Sequence, residues 1–180
     1  MSKKSNKNIV IVGMMGVGKS SVGKVLAKEL RCKFFDSDNE IESASNLNIS
    51  EIFEKYGEDY FRHAERNIIE RIILNNKNII FSIGGGAYCN NHTIQIINSS
   101  SRVIYLKASI KTLISRLKSN FSSRPLLRGK KLKDEIIKIL NERQKYYDRA
   151  DYVFEVDNLH INEIVEKIIN ILDLKKNLND

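Results

Sequence analysis

The run Gly13-Met14-Met15-Gly16-Val17-Gly18-Lys19-Ser20 has the pattern G-x-x-x-x-G-K-[ST], directly after the apolar residues Ile9-Val10-Ile11-Val12 and ahead of a stretch with helical periodicity. Between a strand and a helix, this pattern cradles polyphosphate. Glycines let backbone N–H groups turn inward around the phosphates, Lys19 carries positive charge to the outer ones, and the Ser20 hydroxyl suits a magnesium ion. A nucleoside triphosphate is the implied ligand, and an ordinary glycine turn is the plain alternative.

Two further groups stand where strand candidates end. Asp36-Ser37-Asp38 follows residues 33–35, and Gly84-Gly85-Gly86 follows residues 78–83. In an open parallel sheet, ligands collect beyond the carboxyl ends of the strands, so these groups are expected to share a crevice with the glycine-rich loop. Taken singly, each has a bland account: either aspartate can cap a helix, and three glycines can form a tight turn.

Four arginines are ambiguous in the same way. Arg62 lies three residues before Glu65, the spacing of a surface helix ion pair. Arg143 falls on a late helical stretch, Arg124 in a polar loop, and Arg116 in a segment where solvating its own helix is the favoured account.

These residues are positioned by short apolar segments at residues 9–12, 33–35, 78–83, 102–106 and 152–156, separated by longer stretches of helical periodicity. Repeated strand, helix, strand order predicts an α/β fold with a parallel sheet covered on both faces. Residues 20–30 place Val22, Val25, Leu26 and Leu30 on one helical face. Asn48-Ile49-Ser50-Glu51 resembles a capping box opening a short helix that Gly57 stops in left-handed geometry. Residues 58–74 then bury Phe61, Ala64, Ile68 and Ile72, and helices follow over 132–147 and 161–172. Residues 120–131 are polar and contain the chain's single proline, Pro125, which marks a candidate mobile flap.

With 180 residues and ordinary apolar content, the chain suits one domain. No stretch nears the roughly 20 apolar residues that span a bilayer, and residues 1–8 lack the apolar segment of a secretion signal, so a cytoplasmic protein without a membrane partner is expected. Cys32 and Cys89 read as reduced thiols, and His63, His92 and His160 as scattered surface residues. The net charge of +8 attracts polyanions, but no aromatic residues interleave with a basic stripe, so no nucleic-acid partner is expected.

Taken together, the motifs resemble one family, the shikimate kinases. They are the phosphate loop with Ser21-Val22-Gly23, Asp36-Ser37-Asp38, Phe61-Arg62-x-x-Glu65, Gly84-Gly85-Gly86-Ala87, Arg124-Pro125-Leu126-Leu127 and Arg143-x-x-x-Tyr147, in the family's order. The resemblance runs from about residue 9 to 172, with Ser21 in place of a usual threonine and Lys145 in place of a frequent proline.

The resemblance implies a three-layer P-loop kinase fold: a five-stranded parallel sheet flanked by helices, a substrate-binding region around 38–65 and a lid around 120–131. It implies a monomer that transfers the γ-phosphoryl group of ATP, with Mg2+, to the 3-hydroxyl of shikimate. Carried onto this chain, Lys19, Asp38 and Arg124 are catalytic. Gly13, Met15, Gly16, Val17, Gly18, Lys19, Ser20, Ser21 and Arg124 contact ATP, with Arg116 and the turn at Asp157-Asn158 as adenine candidates. Asp38, Arg62, Gly84, Gly85, Gly86 and Arg143 hold shikimate, and Ser20 and Asp36 serve the metal, with Ser82 nearby. Two rivals remain on sequence grounds: a gluconate or nucleoside monophosphate kinase with the same loop, and a nucleotide-switched binding module with no acceptor.

Overall fold

A computed structural model describes residues 7–118 and 131–172. Strands β1 (Asn8–Val12), β2 (Lys33–Asp36), β3 (Ile79–Ser82), β4 (Ser101–Lys107) and β5 (Tyr152–Glu155) form one sheet in the order β2-β3-β1-β4-β5. All four pairings are parallel. Every residue of β1 and β3 is buried, as expected for central strands covered on both faces.

Helices α1 (Lys19–Glu29), α2 (Ser37–Ser45), α3 (Ile49–Asn75), α4 (Asn91–Ser100), α5 (Ile110–Leu117), α6 (Leu132–Tyr147) and α7 (Ile161–Leu172) flank the sheet. Helix α1 packs with α7, α3 with α4, and α5 with α6. Among the described residues, no helix is long and apolar enough to cross a membrane. Arg124 and the expected lid lie outside the described residues, except Lys131 at the start of α6.

Local chemistry explains most boundaries. The Asn48 capping box is complete: its side chain accepts from the Glu51 N–H at 3.0 Å, and the Glu51 carboxylate accepts from the Asn48 N–H at 2.8 Å. Asn90 and Ser109 cap α4 and α5 by accepting from Thr93 and Thr112.

Three expectations need correction. Gly57 breaks α3 without ending it in left-handed helical geometry: at φ 82° and ψ 175° it occupies a region reserved for glycine, and the helix resumes at once. Asp36 belongs to β2, being also the residue that caps α2. On the second half of α3, Glu65 is buried at 1% exposure whereas Ala64 is only half-buried, so a carboxylate lies on the inward face.

A Cβ at Gly57 would meet nothing within 4 Å, so substitution there tests backbone strain alone. Gly57→Ala should destabilise the fold by about 1–3 kcal/mol, read as a lower urea midpoint with an unchanged slope.

Candidate active site

The phosphate loop leaves β1 through backbone conformations that favour glycine: φ is 142° at Gly13, 78° at Gly16 and 105° at Gly18. A Cβ on Gly13 would also lie 2.5 Å from the Leu106 carbonyl oxygen of the neighbouring strand. Lys19, in the first turn of α1, reaches back across the loop and donates to the carbonyls of Gly13 at 3.0 Å and Met14 at 3.2 Å. Its ammonium is thereby placed over the loop's interior.

Ser20 donates to Asp36 Oδ2 at 2.5 Å, while Asp36 Oδ1 accepts from the Asp38 N–H at 3.1 Å. One carboxylate therefore caps α2, as the plain reading of Asp36 has it, and also faces the loop hydroxyl. Paired hydroxyl and carboxylate oxygens are hard donors, and Mg2+ is commonly held by one or two such groups together with phosphates and water. The pair fits that ion.

The acceptor side is assembled around the glycine triplet. The Gly84 N–H donates to Ser37 Oγ at 2.8 Å, tying the start of α2 to the end of β3. A Cβ on Gly86 would lie 2.9 Å from Arg62 Nη1, and one on Gly85 would lie 3.1 Å from Arg143 Nη1. Because both side chains are absent, two guanidinium groups approach the main chain from opposite helices, α3 and α6.

Arg62 is not a surface ion pair. It donates to the buried Glu65 Oε2 at 2.8 Å, and its Nε and Nη2 donate to Glu58 Oε1 at 3.2 and 3.1 Å. Burial pushes the Glu65 carboxyl above its ordinary range, and the neighbouring Arg62 charge pulls against that shift. Glu65 Oε1 has no hydrogen-bond partner among the described residues.

These groups line a single cleft of about 380 Å³. Met15, Gly16, Gly18, Lys19 and Ser20 line it from the loop, together with Asp36, Asp38, Ser82, Gly84, Gly85 and Gly86 at and beyond the strand ends and Arg62 and Arg143 from α3 and α6. Gly13, Val17, Ser21 and Arg116 are not in its lining. Gly13 and Val17 shape the loop from behind, and the Ser21 side chain is exposed. Arg116 does more than solvate α5: its Nη1 donates to the Val17 carbonyl at 2.8 Å, on the outer side of the loop. Asp157 lies near it and accepts from the backbone and hydroxyl of Ser109. Slight burial works to raise the Asp157 pKa, but hydrogen bonds from Thr112 and Ser109, aided by the Arg116 charge, bring it below the ordinary value.

A loop for polyphosphate, a hydroxyl–carboxylate pair and two arginines thus open onto one space, the arrangement of a kinase with an anionic acceptor. The shikimate kinase family pattern aligns with residues 15–173. The chain belongs to the shikimate kinase family. A shikimate kinase from Flavobacterium johnsoniae is 40% identical over 171 residues, covering 92% of this chain and 99% of that protein. One from Azobacteroides pseudotrichonymphae is 36% identical over 166 residues, covering 91% and 98%. Among solved structures, a shikimate kinase from Acinetobacter baumannii in complex with shikimate superposes with a TM-score of 0.89 at 30% identity, covering 96% of each chain. One from Bacteroides thetaiotaomicron gives 0.85 at 32% identity, covering 93% of this chain and 98% of its own. The expected P-loop kinase fold with a five-stranded parallel sheet is therefore found.

Sequence reasoning missed part of this shikimate kinase cleft. Ile49, Phe53 and Phe61 form an apolar wall, with the Phe53 and Phe61 rings 4.8 Å apart. Their helical spacing reads as core, and only the break at Gly57 turns the two halves of α3 toward the same space. Glu65 lines the cleft as well.

The folded protein holds the Glu65 proton more tightly than the unfolded chain does. This group's contribution to stability is therefore complete below the ordinary value of 4.5 and is lost as pH rises through the folded value. Glu65→Gln should flatten that decline in urea unfolding curves compared from acidic to neutral pH.

Proposed function

We propose that this cleft transfers the γ-phosphoryl group of ATP to the 3-hydroxyl of shikimate, giving shikimate 3-phosphate and ADP, a step toward chorismate and the aromatic amino acids. The observation that carries this reading is the convergence of Asp38, Arg62 and Arg143 on the space that Lys19 and Ser20 also line.

A planar guanidinium binds a carboxylate through two parallel hydrogen bonds, so Arg62 and Arg143 fix an acidic ring in one orientation. A neutral sugar acceptor needs no such pair. Ile49, Phe53 and Phe61 cover the ring's apolar surface. Asp38 holds the acceptor hydroxyls and takes up the 3-hydroxyl proton late, as that oxygen bonds to phosphorus and the bond to the ADP oxygen breaks.

Phosphoryl transfer passes through a loose transition state, so alignment and charge neutralisation dominate over a strong base. Lys19 supplies charge to the outer phosphates, and the backbone of residues 13–18 with Ser20 and Ser21 holds the nucleotide. Ser20 and Asp36, with Ser82 near them, would hold Mg2+, which when bound would offset the charge of the phosphates. Arg116, which donates to the Val17 carbonyl on the outer side of the loop, contacts the adenine, and Arg124 adds a cation from the 120–131 segment. The chain works as one catalytic domain, as a cytoplasmic monomer.

A coupled ADP-release assay at fixed ATP and Mg2+, with shikimate, gluconate and nucleoside monophosphates in turn, tests the assignment. Shikimate alone should drive rapid turnover, and rapid turnover only with another acceptor overturns it. Lys19→Ala and Asp38→Asn should each lower kcat by about a hundredfold or more, and near-native kcat in either removes its assigned role. Arg143→Ala should raise the KM for shikimate about tenfold or more while leaving the KM for ATP within about twofold.

A further inference from the structure

Tyr147 closes the motif Arg143-x-x-x-Tyr147, yet nothing in the chemistry above uses it. Its side chain is fully buried, and such a hydroxyl is retained only where it has a partner. That partner is the middle of the glycine triplet: Tyr147 Oη donates to the Gly85 carbonyl at 2.5 Å. The same hydroxyl lies 3.9 Å from Met14 Sδ in the phosphate loop. Arg143 lies one turn earlier on α6, and its charge acts on the phenol. The ring is held in turn by stacking on Tyr105 of β4, with centroids 4.9 Å apart and planes 27° apart.

We propose that Tyr147 is a positioning residue for the acceptor, tying α6 to the Gly85 main chain and so setting where the Arg143 guanidinium, one turn earlier, meets the triplet. This inference rests on the assignment of the acceptor side made above.

The placement of the Tyr147–Gly85 hydrogen bond supports it. The hydroxyl's donation to the Gly85 carbonyl anchors α6 to the triplet, and Arg143 stands one turn earlier on the same helix. Burial pushes the phenol pKa well above its ordinary value, against a smaller opposing effect of the Arg143 charge, so the hydroxyl keeps its proton throughout the working pH range. With no side chain at Gly85, a bulky residue is not available to set the spacing, and a Cβ there would already lie 3.1 Å from Arg143 Nη1. The bridge from α6 sets it instead. Without it, Arg143 would retain its charge but lose its register against the triplet.

Tyr147→Phe removes one oxygen and leaves the ring stacked on Tyr105. It should raise the KM and the Kd for shikimate by about tenfold, the usual effect of losing a buried hydrogen bond, with the KM for ATP within about twofold of native. In an Arg143→Ala background the same change should add less than about twofold, because the tyrosine acts through that arginine. Tyr105→Phe, which removes only a 3.5 Å contact to Gln144, should leave the shikimate KM unchanged.

Three outcomes would overturn the proposal. They are a shikimate KM within twofold of native in Tyr147→Phe, equal rises for shikimate and ATP with a lowered Tm, or a variant that fails to fold. Full additivity with Arg143→Ala would overturn the coupling. Wild-type protein that turns over no shikimate would instead overturn the functional assignment itself, so the two failures are separable.

Discussion

The pairing of β1 with β3 sets the distance between the two halves of the chemistry. Ile11 lies opposite Ser82 in the parallel ladder, and the Ile83 N–H donates to the Ile11 carbonyl at 3.2 Å just beyond it. In that register the phosphate loop leaves one strand as the glycine triplet leaves its neighbour. A Cβ on Gly85 would lie 3.1 Å from the Gly13 carbonyl oxygen, so the two turns touch. A slip of one residue would reverse the facing of every β3 side chain and separate the donor from the acceptor side.

Glycine at the triplet is a requirement of space. Its three residues have negative or unremarkable φ, unlike Gly13, Gly16 and Gly18. What they lack is a side chain where Glu65, Arg143 and Arg62 approach. The two glycine groups therefore serve different needs: the loop needs positive φ to aim its N–H groups, and the triplet needs bare backbone to let charged side chains of both signs approach.

Charge in the cleft is similarly balanced by burial. Three cations, Lys19, Arg62 and Arg143, line it alongside Asp36, Asp38 and Glu65. Glu65 is the most buried of these and orients Arg62 through a 2.8 Å ion pair. Removing one member of a buried pair strands the other charge at a cost of several kcal/mol, which keeps Arg62 facing the triplet. On the other helix the Tyr147 hydroxyl bonds the Gly85 carbonyl, one turn from Arg143.

Much of this was legible in the chain itself. The loop pattern, the apolar strands and the capping box at Asn48 are local, because each depends on neighbours within a few residues, and each was found where spacing predicted. The order of the motifs also pointed to the family. What the spelling left open was every relation between distant segments. Arg62 with Glu65 reads as a surface pair until the fold buries the carboxylate, and Arg116 reads as a solvated charge until α5 is laid against Val17. Tyr147 is one more apolar-facing residue on α6 until β1 and β3 bring Gly85 within reach. Helical periodicity tells which face turns inward but not what it meets there, and that is decided only when the parallel sheet sets the strands in register.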